Sequence, residues 1–131
     1  MKYLVDTSVL IHSLISRPKL NDRAIELLES ASSELYLSPV SSWEVAIKVG
    51  TGKLTLPGRP TEIVTRAMRL MSLQSLNITH VHALAVENLP HLHRDPFDRM
   101  LIAQASTERM VLLTADHIFE KYKVEQVFCG Q

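Results

Sequence analysis

The sequence predicts a three-layer α/β/α fold around a short parallel sheet of four to five strands. Three observations lead there. Strand-like and helix-like segments alternate from one end of the chain to the other. The first of them reads strand, acid, helix, which is how an α/β unit opens. No repeat, low-complexity stretch or linker interrupts the alternation, so helices are expected on both faces of one sheet. At 131 residues the chain is expected to be a single domain, residues 1–131, with room for a sizeable core.

The elements follow in order. Lys2-Tyr-Leu-Val-Asp6 is the first strand, closed by Asp6-Thr7-Ser8. Val9-Leu10-Ile11 with Leu14 and Ile15 continues as a buried helix that bends near Ser13. Arg17-Pro-Lys-Leu20 is a break. Asn21 or Asp22 then caps a helix with Ala24, Ile25, Leu27, Leu28 and Ala31 on its inner face. Leu35-Tyr-Leu37 is the second strand, ended by Ser38-Pro39. Ser41 caps the next helix, which is packed by Val45, Ala46, Ile47 and Val49 and stopped by Gly50 and Gly52. Lys53 to Pro60 is an irregular connector. Thr61 caps a helix carrying Ile63, Val64, Ala67, Met68, Leu70 and Met71, with the methionines as core or interface filler. Leu73 to Ile78 is the third strand, and Thr79 caps a helix to about Val86. Asp95 caps and Pro96 begins a helix buried by Met100-Leu-Ile-Ala103 and Ala105. Met110-Val-Leu-Leu-Thr114 is the fourth and clearest strand. A short turn with Ile118, Phe119 and Tyr122 follows, and Val124 to Phe128 closes the sheet as an edge strand.

Composition narrows the function classes. Hydrophobic residues make up 46% of the chain, yet no apolar run approaches the ~20 residues of a membrane span. Asp6 comes too early for a secretion signal. A lone Cys129 forms no internal disulfide, which fits a reducing cytoplasm. The formal net charge is zero, so a nucleic-acid role would rest on a local basic patch rather than on the global charge.

Four acids carry the chemistry. In an open parallel sheet, ligands bind beyond the C-terminal ends of the strands. Asp6 follows the first strand, Glu44 the second and Asp116 the fourth, while Asp98 opens the helix that leads into the fourth. Each alone has a capping explanation: Ser41-x-x-Glu44 and Asp95-x-x-Asp98 both read as capping boxes. Four at one edge are harder to account for that way. Like charges at close range persist only if some are protonated or a cation binds, and an all-oxygen set favours a hard divalent ion.

These residues carry a resemblance. Asp6-Thr-Ser, Ser42-x-Glu44, Asp95-Pro-Phe-Asp98-Arg-Met-Leu-Ile-Ala-Gln-Ala105 and Leu113-Thr-Ala-Asp116 look like the PIN-domain nucleases, and more narrowly the VapC-type toxins of VapBC toxin–antitoxin pairs. The similarity covers essentially the whole chain, and the stretch from Asp95 to Ala105 is its most specific part. The resemblance implies a PIN-like fold and a Mg²⁺-dependent endoribonuclease, with Mn²⁺ as an alternative ion. Asp6, Glu44, Asp98 and Asp116 would hold the metal and catalyse cleavage. It also implies a homodimer and a small cognate antitoxin. Thr7, Ser8 and Thr114 are candidates to hydrogen-bond the carboxylates, with plain capping as the alternative. RNA phosphates would be met by Lys48, Lys53, Arg59, Arg94 or Arg99, or these are solvated charges, with an ion pair to Asp98 as the other reading of Arg99.

Other motifs lead less far. His80-x-His82 and His91-x-His93 have metal-ligand spacing, but Pro96 stands where a His-x-His-x-Asp-His hydrolase needs its last histidine, so exposed loop histidines are the expectation. Trp43 is read as core or dimer packing rather than base stacking. Asp6-Thr7-Ser8 lacks the second acid of a phosphatase Asp-x-Asp pair, and Gly50-Thr-Gly-Lys53 is too short for a phosphate-binding loop. The class-different alternative is a catalytically inactive binding module that acts through dimerisation and partner capture.

Overall fold

The computed structural model describes residues 1–131. Its elements are β1 (Lys2–Val5), α1 (Thr7–Ile15), α2 (Asp22–Glu29), β2 (Glu34–Leu37), α3 (Pro39–Gly50), α4 (Pro60–Leu70), β3 (Gln74–Ser75), α5 (His80–Ala85), α6 (Pro96–Glu108), β4 (Val111–Thr114) and β5 (Gln126–Phe128). Short 3₁₀ turns lie at Arg17–Lys19, Val86–Asn88 and His117–Lys121. The strands form one sheet in the order β3-β2-β1-β4-β5, and every pair is parallel.

Strand pleating explains the three layers. Tyr3, Val5, Leu35, Leu37, Val111 and Leu113 point to one face, where α1, α2 and α4 contribute Val9, Leu10, Ala24, Leu27, Leu28, Val64 and Ala67. Leu4 and Leu112 point to the other, where α6 contributes Leu101, Ile102 and Ala105, joined by Phe119 and Tyr122. Side chains alternate faces along a strand, so strands this apolar need a helical layer on each side. No helix is long and apolar enough to cross a membrane.

Several boundaries differ from expectation, each for a local reason. α1 starts at Thr7 because the Asp6 carboxylate already accepts from the Val9 N–H at 2.8 Å. It runs on through Ser13, whose hydroxyl bonds back to Val9 O at 2.7 Å without ending the helix. α3 starts at Pro39, capped by Ser38 rather than Ser41, because proline's fixed φ suits the first helical position. Pro60 likewise starts α4 and places Thr61 inside it. β3 shrinks to two residues: Leu76 N still reaches Leu37 O, but Leu76 O is taken by the Gln104 amide at 3.0 Å and the chain leaves the sheet. Ala31, Ala46 and Ile47, expected in helix cores, lie exposed. The methionines Met68 and Met71 do pack against the core.

Two core substitutions test this layering. Leu4 is fully buried between strands and α6, and Leu4→Ala is expected to lower the unfolding free energy in urea by about 2–5 kcal/mol. Leu70 is 72% exposed, and Leu70→Ala is expected to change it by less than ~0.5 kcal/mol. Similar losses from both would contradict the layer assignment.

Candidate functional site

The parallel order puts β1 and β4 side by side at the point where the chain's strand order reverses, the usual ligand crevice of such sheets. A cleft of about 200 Å³ there is lined by Asp6, Glu44, Asp98 and Asp116, together with Ser8, His12, Lys48 and Asp95. Asp6 leaves β1, Asp116 leaves β4, Glu44 comes from α3 and Asp98 from the first turn of α6. α6 runs back antiparallel to the strand it feeds, so its N-terminus reaches the same edge.

The capping explanations separate the acids. Asp6 does cap α1, and Asp116 caps the turn at His117–Lys121 by accepting from the Ile118 N–H at 3.0 Å. Asp95 caps α6, accepting from Phe97 N and Asp98 N at 2.9 and 3.2 Å. Asp98 caps nothing; its Oδ2 lies 3.2 Å from His93 Nε2. Glu44 is not in a capping box, because α3 begins five residues before it. It is only 4% exposed, and its Oε1 is buried with no hydrogen-bond partner. Its Oε2 is 2.7 Å from Lys48 Nζ. A buried carboxylate oxygen without a partner is costly, and here it belongs to a residue that lines the cleft.

Ser8 and Thr114 bear on the carboxylates, whereas Thr7 does not. Ser8 donates to the Asp6 carboxylate at 2.7–2.9 Å and accepts from Ala115 N–H at 3.0 Å, so it latches the ends of β1 and β4 together. The Thr114 hydroxyl accepts from Asp116 N–H at 3.0 Å and steadies that acid's backbone. Thr7 instead donates to the Ser41 hydroxyl at 3.0 Å and fastens α1 to α3, away from the carboxylates.

Burial dominates the electrostatics. It pushes Asp6 up to about 6, and the Thr114 hydroxyl, Val9 N–H and Ser8 hydroxyl offset only part of that. Burial also pushes Asp98 up to about 8, with the negative charge of Asp95, Glu44, Asp116 and Asp6 adding to it. For Lys48, burial opposes the charge, but the Glu44 hydrogen bond and the surrounding acids outweigh it and hold the amine above its ordinary value. As the side chains stand, no three His, Cys, Asp or Glu groups are gathered tightly enough to hold an ion. The positive charge within the cleft is that of Lys48, paired with Glu44. The donor chemistry, all oxygen with one buried carboxylate oxygen unpartnered, nevertheless fits a hard divalent cation.

Of the basic residues expected to meet phosphate, only Lys48 lines the cleft. Lys53, Arg59 and Arg94 are exposed outside it. Arg99 is 7% exposed, and its guanidinium donates to Pro90 O at 2.8 Å and to the Tyr122 hydroxyl at 3.1 Å. It is therefore neither an RNA contact nor an ion-pair partner of Asp98. Trp43 is 61% exposed and packs edge-on against Phe97 with ring centres 5.1 Å apart, so it is not core. His80 and His91 are exposed, whereas the other two histidines depart from the exposed-loop expectation. His82 is buried, completes a capping box with Thr79 and lies 2.7 Å from Glu108, and His93 is tied to Asp98. His12 was legible in principle: it lies one helical turn beyond Ser8, on the face that carries the site.

A family model described as PIN domain matches residues 3–125. Among solved structures, VapBC2 from Rickettsia felis bound to a DNA fragment from their promoter aligns with a TM-score of 0.75 at 14% identity, covering 98% of this chain and 99% of that one. DNA-bound VapBC from Salmonella typhimurium aligns with a TM-score of 0.69 at 17% identity, covering 98% of each chain. A toxin–antitoxin complex from Klebsiella pneumoniae gives 0.60 at 23% identity, covering 88% of this chain and 87% of that one. Identities this low establish a common fold. No curated protein matches the chain significantly.

The raised acids give a pH signature. An unfolded Asp titrates near 3.8, whereas Asp6 and Asp98 titrate near 6 and 8 when folded. The folded chain thus holds protons the unfolded chain releases. The stability this contributes is full below the unfolded value and is lost as pH rises through about 6 and then about 8. In EDTA, Asp98→Asn is expected to melt a few degrees above wild type at alkaline pH and to match it in mild acid. Thermal unfolding across the pH range reads this, and a variant no more stable than wild type at alkaline pH contradicts it.

Proposed function

Because the chain belongs to the PIN domain family, we propose that it is a metal-dependent endoribonuclease and the toxic member of a type II toxin–antitoxin pair. One observation carries the reading: Asp6, Glu44, Asp98 and Asp116 line a single cleft at the strand-order reversal, and Glu44 Oε1 is buried there without a partner. Mg²⁺ suits such oxygen donors, with Mn²⁺ as the alternative. When bound, the ion supplies Lewis-acid polarisation of a phosphoryl oxygen and a water of lowered pKa.

The chain's own groups supply the remainder. Asp6 and Asp98 would hold the ion, Glu44 would ligate directly or through water and orient the nucleophile, and Asp116 would serve as an outer ligand or hold a second ion. Ser8 holds the Asp6 carboxylate in place through the contact already described. Lys48, once a cation takes over the charge of Glu44, is within the cleft to meet a phosphate. Lys53, Arg59 and Arg94 are exposed for further backbone contacts. Attack of hydroxide in line on phosphorus breaks the bond to the 3′ oxygen and leaves a 5′-phosphate and a 3′-hydroxyl.

The solved structures of similar fold are described as VapBC and toxin–antitoxin complexes, which supports a cognate antitoxin as the partner. We place the pair in the cytoplasm and the toxin in a homodimer. Exposed Trp43, Leu70, Val81 and Leu84 offer apolar surface for such contacts.

Purified total RNA incubated with Mg²⁺ or Mn²⁺ tests the proposal. Wild type is expected to cut it, EDTA to abolish cutting, and Asp6→Asn or Asp98→Asn to slow it about 10²–10³-fold. Cutting that survives EDTA or either substitution, or none by folded wild type with both ions, would overturn it and favour a binding module.

A further inference from the structure

We infer that His93 is a positioning residue for Asp98, fixed in one orientation and one tautomer by the buried pair Arg99 and Tyr122. The inference rests on the metal-dependent reading of the cleft and adds a residue to it.

The groups form a closed circuit that begins and ends on α6. The Arg99 guanidinium donates to the Tyr122 hydroxyl at 3.1 Å. Tyr122 Oη lies 2.6 Å from His93 Nδ1, with the two rings edge to face at 5.4 Å. His93 Nε2 lies 3.2 Å from Asp98 Oδ2. Successive residues on a helix point about 100° apart. Asp98 therefore faces the cleft while Arg99, its neighbour, turns inward beneath the segment that carries His93. Arg99 fixes that segment as well, through Pro90 O at 2.8 Å.

Arg99 and the buried Tyr122 hydroxyl together set the direction of the bonds in the circuit. A guanidinium only donates, so the Tyr122 oxygen accepts from it, and the buried Tyr122 proton still needs an acceptor, which His93 Nδ1 at 2.6 Å supplies. An imidazole that accepts at Nδ1 carries its proton on Nε2 and donates it to Asp98 Oδ2. The Asp98 carboxylate is thereby held by one oxygen, and no hydrogen bond engages Oδ1. Outer partners of this kind fix the rotamer of a ligating carboxylate. Here the orientation is imposed by two side chains that do not line the cleft.

Two readouts test this. Long-range ¹H–¹⁵N correlation spectra of the metal-free protein, recorded well above pH 8 where Asp98 is ionised, report the imidazole tautomer. His93 is expected as the Nε2–H form in wild type and as a mixture in Tyr122→Phe, which keeps the ring and removes the hydroxyl. Mn²⁺ binding followed by electron paramagnetic resonance is expected to weaken about tenfold or more in His93→Leu. It is expected to stay near wild type in His93→Gln, whose amide nitrogen replaces the Nε2 donor. An Nδ1–H tautomer in wild type, or His93→Leu binding Mn²⁺ as tightly as wild type, would overturn the inference while the nuclease reading stands. Wild type that binds no Mn²⁺, or Asp98→Asn that binds it unchanged, would overturn the nuclease reading and the inference with it.

Discussion

Where β1 pairs with β4, strands from the two ends of the chain run side by side in the same direction, and both leave the sheet at one edge. Asp6 and Asp116 are the residues at those exits. The pairing is enforced beyond the strands: Asp6 N–H continues the ladder to Leu113 O at 2.9 Å, and the Ser8 hydroxyl bridges the Asp6 carboxylate to Ala115 N–H. The remaining elements are arranged around this seam. α3 must leave β2 at the same edge and delivers Glu44. α6 must return to the start of β4 and so presents its own start, with Asp98, at that edge.

The cost of the arrangement is visible in its protonation. A carboxylate loses hydration when buried, and neighbouring carboxylates raise the penalty. The chain lowers it by giving most acids a second task. Asp6, Asp95 and Asp116 each spend an oxygen on backbone N–H groups at a helix or turn start, where the local dipole favours negative charge. Glu44 and Asp98 have no such task. One leans on Lys48 and the other on His93, and these are the two positions where the fold's own stability explains the acid least well.

The layers and the four acids were legible in the sequence because each rests on local chemistry. Alternating apolar segments, Ser, Thr and Asp caps, and acids just past strand ends are all short-range signals. The Asp95-to-Ala105 stretch also carried the family likeness that the PIN domain match then established. What stayed hidden depends on long-range contacts. Arg99 looked like a surface charge, since nothing near it in sequence reveals that Tyr122, 23 positions away, and Pro90 O receive its guanidinium. His93 looked like a loop residue for the same reason. Ser41 is no cap because Ser38-Pro39 offers a stronger start three residues earlier, and the partner of Ser41, Thr7, lies 34 positions away. The third strand was overdrawn because an edge position and the Gln104 side chain, not propensity, decide where it ends.

The two ends of the sheet bear on how the chain meets other molecules. β3 offers two residues of ladder and β5 three. Beyond β5, the segment ending at Gly130 is already bridged to Leu20, and the Asn21 amide holds both Phe128 O and Gly130 O at 2.9 Å. A foreign strand that tried to extend the sheet would find too few free amides to register against. Extension of the sheet by a foreign strand is thus disfavoured at both ends, by the shortness of β3 at one and by the Leu20–Gly130 bridge at the other.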